Sequence, residues 1–158
     1  SMNAFFGDPD SNMDGLPDRK WEAENLVRIA PPYPMIIAWN GQPLSRITIH
    51  KKCAESLLRA LGVIGNKFNA AERDKFHLNR YGGGYNFRTM RGSNNLSIHA
   101  WGAAIDLAPE LNPLGRPAGV RPLMMPEAAV LAFRNEGWIW GGPWKRPDGQ
   151  HFQAARIV

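Results

Sequence analysis

The sequence predicts a single α+β domain in which a small antiparallel sheet is flanked by helices. Its 158 residues are the length of one domain. Its 16 glycines and 13 prolines exceed the usual share, which favours many loops over an all-helical bundle. Apolar residues recur at both helical and strand spacing, without a regular strand–helix alternation. We expect an irregular N-terminal arm over residues 1–18 and one domain over 19–158.

Helices are predicted from apolar spacing and from the residues that stop them. The clearest helix covers 52–64, where leucines recur on one face, and Gly65 is expected to end it. A helix over 18–29 is expected to stop before a run of prolines. The remaining predicted helices cover 70–76 and 127–135.

Strands are predicted from short apolar runs bounded by turn residues. Asn40-Gly41 is a typical hairpin turn, so the strands over 35–39 and 44–50 are expected to pair with each other. Residues 112–126 are rich in Pro and Gly and are expected to form a long loop. The other predicted strands are 103–107, 138–140 and 151–158.

Composition and charge exclude several functional classes. The single cysteine, Cys53, lies in an apolar helical pattern, so the chain offers neither a disulfide nor a multi-cysteine zinc site. No run of about 18 apolar residues is present, so we expect no membrane span. The first residues lack the pattern of a secretory signal. The net charge of +5 favours an anionic partner, but the basic residues are scattered and no nucleic-acid partner is expected.

Two histidines have an aspartate at a close spacing. His99 and Asp106 are separated by a glycine and several alanines, which let the chain turn back so that the two side chains can converge. Asp106 lies in an apolar run, where a carboxylate is costly unless it is paired or bound to a metal. A hydrogen-bonded structural aspartate is the alternative. Asp148 precedes His151 by three residues, so it can reach water on a metal held by His151 without being a ligand.

These residue types favour a catalytic metal site over a structural one. Two histidines and one aspartate leave a fourth tetrahedral position open, as catalytic zinc sites do. Mononuclear iron, which also binds two histidines and a carboxylate, is the alternative metal. The other two histidines are expected to be structural, with His50 at a strand–helix junction and His77 at the surface.

The chain contains a ten-residue motif followed at a distance by an Asp-x-x-His pair. The pattern resembles the zinc D-alanyl-D-alanine carboxypeptidases and the phage endolysin L-alanyl-D-glutamate peptidases, which share a fold with the hedgehog signalling domain. The similarity runs over roughly two-thirds of the chain. The Asp-x-x-His pair begins with an aspartate, which resembles the endolysin-like branch. The fixed positions are Ser97, His99, Gly102, Ala104 and Asp106, followed by Asp148 and His151.

The resemblance implies Zn²⁺ as the cofactor, with His99, Asp106 and His151 as its ligands. It further implies that Asp148 is the catalytic acid and base. The bond that is hydrolysed would lie in the stem peptide of peptidoglycan, either L-Ala–D-Glu or the terminal D-Ala–D-Ala. A non-catalytic zinc-containing cell-wall-binding module is the alternative. Asp148 argues against that module, because a structural site needs no base.

Other residues are expected around this centre. Arg88 matches the arginine that the family places upstream of the first histidine, and Arg91 is a nearby alternative; this arginine would bind a substrate carboxylate or the developing oxyanion. Ser97 is expected to orient the ligands, and Trp101 and Trp140 to bind substrate or to support the ligands. Trp138 and Trp144 are further candidates for a peptide groove, and at least two of these four tryptophans are expected to pack in the core around the sheet instead.

The resemblance also implies where the protein acts. We expect a monomer that acts on the cell wall, on its periplasmic or extracellular side. The loop over 108–126 is expected to shape the pocket and so to decide which bond is hydrolysed.

Overall fold

The computed structural model describes residues 1–116 and 124–154, and the predicted α+β class is confirmed. No helix among these residues combines the length and the apolar character needed to cross a membrane. A 3-10 helix, Ile98–Trp101, precedes the fifth strand. The helices are α1 (Met2–Phe6), α2 (Arg19–Asn25), α3 (Ala54–Lys67), α4 (Ala70–Lys75) and α5 (Glu127–Arg134). The strands are β1 (Leu26–Ile29), β2 (Ile36–Ile37), β3 (Ile47–His50), β4 (Arg80–Gly83), β5 (Ala104–Leu107), β6 (Ile139–Gly141) and β7 (Asp148–Gln153).

The central sheet has the strand order β2-β4-β5-β7-β6. Strands β4, β5, β7 and β6 pair antiparallel with their neighbours, so Asp106 on β5 lies opposite His151 on β7. The short β2 pairs parallel with β4, so the predicted antiparallel sheet has one parallel strand at this edge. A separate two-stranded sheet pairs β1 with β3.

The hairpin predicted around Asn40-Gly41 does not form a ladder. The chain does turn there, since the Gly41 N–H donates to the Ile37 carbonyl at 2.8 Å. Next to the turn an isolated bridge joins Ile36 to Pro43, flanked by two backbone hydrogen bonds. The Ile37 N–H donates to the Gln42 carbonyl at 2.8 Å, and the Leu44 N–H donates to the Met35 carbonyl at 2.9 Å. The two predicted strands instead pair with β4 and β1.

The N-terminal region is more ordered than predicted. The helix predicted over 18–29 ends at Asn25, and the next four residues form β1 because they find a partner in β3. The predicted irregular arm, residues 1–18, contains α1, whose Phe6 is buried. Pairing with distant residues decided both differences, and such partners leave no signal in the local pattern.

The prediction that Gly65 ends the third helix was also wrong. Helix α3 continues to Lys67 and is capped at Phe68. A Cβ placed on Gly65 would lie 3.1 Å from the Tyr33 ring, so the glycine serves close packing rather than termination. The predicted helices over 70–76 and 127–135 are confirmed to within one residue, as α4 and α5.

The ends of the predicted strands shift by a few residues. The strands predicted over 103–107 and 138–140 are β5 and β6. Strand β7 begins at Asp148 rather than at His151, because Asp148 pairs with Gly141 across a register shift. Residues 155–158 of the last predicted strand, and residues 117–123 of the predicted long loop, lie outside the described residues.

The hydrophobic core positions the strand that carries His151. Helices α3 and α5 pack against each other. Phe133 of α5 stacks on Phe152 of β7, with ring centroids 4.1 Å apart. Both rings are fully buried, and each contributes about 1.5–3 kcal/mol by leaving water. Cys53 is buried as expected, and this burial raises the pKa of its thiol to about 12.

His50 ties the N-terminal helix to the rest of the domain. Its Nε2–H donates to the Phe6 carbonyl at 3.0 Å, and its Nδ1 accepts from the Lys52 N–H at 3.1 Å. Nδ1 can accept this bond only while the ring is neutral. Burial, together with the nearby lysines, lowers the pKa of His50.

We expect the protein to lose stability in mild acid through His50. The unfolded chain protonates this histidine near its ordinary pKa of about 6.5, whereas the folded protein holds it neutral to lower pH. The contribution of neutral His50 to the free energy of unfolding is therefore fully present above about pH 6.5. It is lost as the pH falls through the lower folded-state pKa. Thermal unfolding of the wild type and His50→Gln from pH 8 to 5 measures it. If stability depended on pH equally in His50→Gln and in the wild type, this assignment would be wrong.

Candidate metal centre

A short turn places the first candidate ligand. Ser97 caps the 3-10 helix, since its Oγ accepts from the His99 N–H at 3.2 Å. Gly102 ends this helix in the left-handed region, with φ 67°. The Gly102 carbonyl accepts from the His50 N–H at 2.8 Å, and a Cβ on Gly102 would lie 2.8 Å from that same nitrogen. The motif glycine therefore allows the His99 turn to lie directly against β3.

We expect Gly102→Ala to destabilise the fold by about 2–3 kcal/mol, because it combines a strained φ with a backbone clash. Gly92→Ala is the matched control. Gly92 also has a positive φ, of 72°, but no atom lies within 4 Å of its added Cβ, so this substitution should cost only about 1 kcal/mol. Urea unfolding of both variants measures the difference. Equal losses would show that the close approach to β3 is unimportant.

Three side chains from separate segments meet beside the central sheet. His99 Nε2 lies 3.3 Å from Asp106 Oδ1, and His151 Nδ1 lies 3.2 Å from the same oxygen. Their possible ligand atoms all lie within 4.8 Å of one another. Within the described part of the chain this is the only group of three His, Cys, Asp or Glu residues so arranged. The structure thus brings together the three residues that the sequence predicted as ligands.

Each histidine ring is oriented by a hydrogen bond on its far side. His99 Nδ1–H donates to the Gly84 carbonyl at 2.7 Å, and His151 Nε2–H donates to Gln153 Oε1 at 3.0 Å. These bonds place the protons away from Asp106 and leave the other ring nitrogens as lone-pair donors towards it. Metal-binding histidines commonly have such outer partners, which set the tautomer.

The donor set fits a divalent cation. His99 Nε2 is buried and makes no hydrogen bond to any described residue. Two imidazole lone pairs and a carboxylate directed at one another repel unless a proton or a cation lies between them. Two histidine nitrogens with one carboxylate oxygen suit Zn²⁺, with a position left for a water or a substrate. The residues present therefore fit the metal that the resemblance implies.

The charge state of Asp106 also suits a ligand. Burial alone would raise the pKa of its carboxyl. The nearby His151 and His99 rings outweigh burial and hold the pKa of Asp106 well below its usual range. Burial disfavours the charged form of His151, but Asp106 outweighs this effect and raises the pKa of His151. Asp106 is thus a carboxylate at neutral pH.

A cavity of about 630 Å³ opens over these residues, and Asp148 lies in its wall. Asp148 is the first residue of β7 and is placed by pairing with Gly141. A Cβ on Gly141 would lie 2.7 Å from the Asp148 carbonyl oxygen, so a glycine is needed where the strands meet. Burial raises the pKa of Asp148, although the histidines and Arg88 oppose it. Asp148 shares the cavity with the three candidate ligands without belonging to their cluster.

The other predicted site residues divide into two groups. Arg88 and Ser97 line the cavity, as does Arg91, the alternative arginine. Trp101 and Trp140 do not line it. The Trp101 Nε1–H donates to Asn3 Oδ1 at 2.9 Å, and the Trp140 Nε1–H donates to the Gly149 carbonyl at 2.8 Å. The two tryptophans therefore support the segments that carry site residues rather than forming a peptide groove.

Sequence reasoning missed several residues of this site. Gln153 lies two residues after His151 on the same strand, and the two-residue period of a strand could have placed it beside that ring. Trp144 was not missed: it is one of the four groove candidates, and it lines the cavity with its ring centroid 5.5 Å from that of His151. Leu114, from the loop expected to shape the pocket, also lines it. Nothing in the local sequence pointed to Arg146.

Comparison with known proteins supports the same family as the motif. Residues 91–154 match the family model described as D-alanyl-D-alanine carboxypeptidase. This stretch contains the three candidate ligands and Asp148, whereas Arg88 lies before it. No curated protein and no solved structure matches the chain significantly. The resemblance seen in the sequence is thus confirmed over residues 91–154, the stretch that matches this family model.

Proposed function

We propose that the protein is a zinc-dependent peptidase that hydrolyses a peptide bond in the stem peptide of peptidoglycan. The family match supports a peptidase acting on peptidoglycan. The observation that carries the catalytic proposal is the convergence of His99, Asp106 and His151 in a cavity whose wall also contains Asp148. A site that served only to hold the fold together would need no acid or base at that position.

The metal would be held by His99 Nε2, His151 Nδ1 and an Asp106 carboxylate oxygen. When bound there, Zn²⁺ supplies Lewis acidity, which lowers the pKa of water and polarises a peptide carbonyl. The Gly84 carbonyl and the Gln153 side chain keep the two rings in the tautomers that the metal requires.

Asp148 would move the proton. Its carboxylate accepts a proton from the attacking water and then donates it to the nitrogen of the leaving amine. Burial raises the pKa of Asp148 towards the pH at which such a group exchanges protons readily. This is the role that the family resemblance implies for the aspartate of the Asp-x-x-His pair.

Arg88 and Ser97 would assist the reaction in two different ways. Arg88 is exposed in the cavity wall, where its guanidinium can bind a substrate carboxylate or stabilise the oxyanion of the tetrahedral intermediate. Ser97 Oγ accepts from the His99 N–H, so it orients the turn that carries a ligand. Among the residues that the structure describes, no base is hydrogen-bonded to Ser97 Oγ to make it a nucleophile.

The bond that is hydrolysed distinguishes two forms of this proposal. The aspartate of the Asp-x-x-His pair favours the endolysin-like cleavage between L-Ala and D-Glu. The matched family description favours release of the terminal D-Ala. Both reactions use the same groups of this chain, and we propose the endopeptidase form, acting on the cell wall as a monomer.

Digestion of purified peptidoglycan tests the proposal. The zinc-loaded protein should create new termini, identified by mass spectrometry as an exposed D-Glu amine or as released D-Ala. The same protein treated with a chelator is the control and should create neither. Binding to the wall without new termini would favour the non-catalytic binding module.

A further inference from the structure

The cavity contains three arginines, and the proposed chemistry uses one of them. Arg88, Arg91 and Arg146 all line it, and no lysine does among the described residues. The acidic groups in its lining are Asp106 and Asp148, which the proposed mechanism already uses. If a divalent metal offsets the charge of Asp106, the cleft presents a clear excess of positive charge to its substrate.

Arg91 and Arg146 lack the ion pairs that other arginines of this chain make. Arg59 pairs with Glu136 at 2.8 Å, and Arg80 lies 3.5 Å from Glu110. Neither Arg91 nor Arg146 lies within ion-pair distance of a carboxylate of the described residues, and both are exposed. An unpaired arginine is ordinary on an open surface, but here two such side chains face one cleft.

Arg91 lies in a closed turn rather than on a loose segment. The Met90 N–H donates to the Asn95 carbonyl at 2.9 Å, across a bridge between Thr89 and Leu96. This turn lies in the chain between β4 and the 3-10 helix that carries His99.

Arg146 lies in the connection between β6 and β7. The Gly115 N–H donates to the carbonyl of the next residue, Pro147, at 2.6 Å, which fixes the backbone beside Arg146. Arg91 and Arg146 therefore reach the cavity from two different segments, one before β5 and one between β6 and β7.

We infer that Arg91 and Arg146 are specificity-determining residues that bind carboxylates of the substrate away from the hydrolysed bond. The inference rests on the proposed peptidase function and names its substrate class, a peptide with at least two carboxylates. A guanidinium binds a carboxylate through two parallel hydrogen bonds, which gives orientation as well as attraction. The apolar side chains of Met90, Leu114 and Trp144 in the same lining exclude some water and so reduce screening.

A binding measurement tests this inference without hydrolysis. The probe is the synthetic peptide L-Ala–D-Glu–L-Lys–D-Ala–D-Ala, either with both carboxylates free or with both amidated. Calorimetric titration uses the zinc-supplemented Asp148→Asn protein, which should not consume the peptide. We expect the free-acid peptide to bind at least about tenfold more tightly than the amidated one, which corresponds to about 1.4 kcal/mol. This preference should shrink as the salt concentration rises.

Arg91→Gln combined with Arg146→Gln, in the same background, should weaken binding of the free-acid peptide about tenfold and leave the amidated peptide unaffected. Lys145→Gln is the matched control, because it removes a neighbouring exposed charge that does not line the cavity, and it should bind like the parent. Equal affinities for the two peptides in the parent protein, no binding of either, or an equal loss in Lys145→Gln would overturn the inference. If the protein still preferred the free-acid peptide but did not digest peptidoglycan, the proposed function would be overturned instead.

Discussion

Replacing Asp148 by Ala or Asn should leave zinc binding intact and reduce peptide hydrolysis about a thousandfold. Asp148 lines the cavity but lies outside the cluster of candidate ligands, so its loss removes a proton acceptor and no metal ligand. Metal content after dialysis and the initial rate on a stem peptide are the two measurements. We expect the ratio of zinc to protein to stay unchanged and the turnover number to fall strongly.

Glu110→Gln is a suitable control for this substitution. Glu110 interacts with His77 and Arg80 outside the cavity, and its loss should change neither zinc content nor rate. If Asp148→Asn lost its zinc, Asp148 would be a ligand and its assignment as the acid and base would be wrong. If the rate stayed near that of the wild type, another group would be moving the proton.

Replacing His151 by Ala should abolish both zinc binding and activity. Its Nδ1 is one of three candidate ligand atoms, and the remaining histidine and aspartate form an incomplete site. We expect zinc affinity to fall by more than about 100-fold. Loss of a residue that only hydrogen-bonds to a metal ligand already lowers metal affinity about 10–100-fold. Titration of the apo protein with zinc in a competing chelator measures this change.

Thermal unfolding gives a second readout that does not depend on activity. Zinc that binds only the folded protein stabilises it by about 2.7 kcal/mol at 100 times the dissociation constant. The wild type should therefore unfold at higher temperature with zinc, whereas His151→Ala should not respond. His77→Ala is the control, since His77 pairs with Glu110 away from the cavity, and it should respond like the wild type. A full zinc response in His151→Ala would exclude His151 as a ligand.

Local sequence information was sufficient wherever the governing interactions are close along the chain. The leucine spacing of α3, the capping residue Asn69 of α4 and the glycine that closes the His99 turn all act within a few residues. The candidate ligands could likewise be chosen from local sequence information. A histidine or an aspartate in an apolar run needs a partner, and its residue type limits what that partner can be. The family match covers the stretch that contains these candidate ligands.

Strand partners and packing contacts could not be obtained in this way. Whether 26–29 continues a helix or forms β1 depends on β3, and whether a hairpin forms at Asn40-Gly41 depends on competition from β4 and β1. Gly65 looked like a helix terminator, but Tyr33 packs against it from a distant segment. In each of these cases a local preference of about 1 kcal/mol is outweighed by the larger free energy of burial or strand pairing.

The sequence by itself determined which chemistry this protein is able to perform, because residue type sets pKa, ligand softness and hydrogen-bonding capacity. Only the tertiary structure decided how those groups are arranged. It turned the lone pairs of His99 and His151 towards Asp106 through Gly84 and Gln153. It also brought Arg146 to the cleft from a turn between two strands. Orientation and distance between remote segments follow from packing of the whole chain, and no short stretch of sequence contains that information.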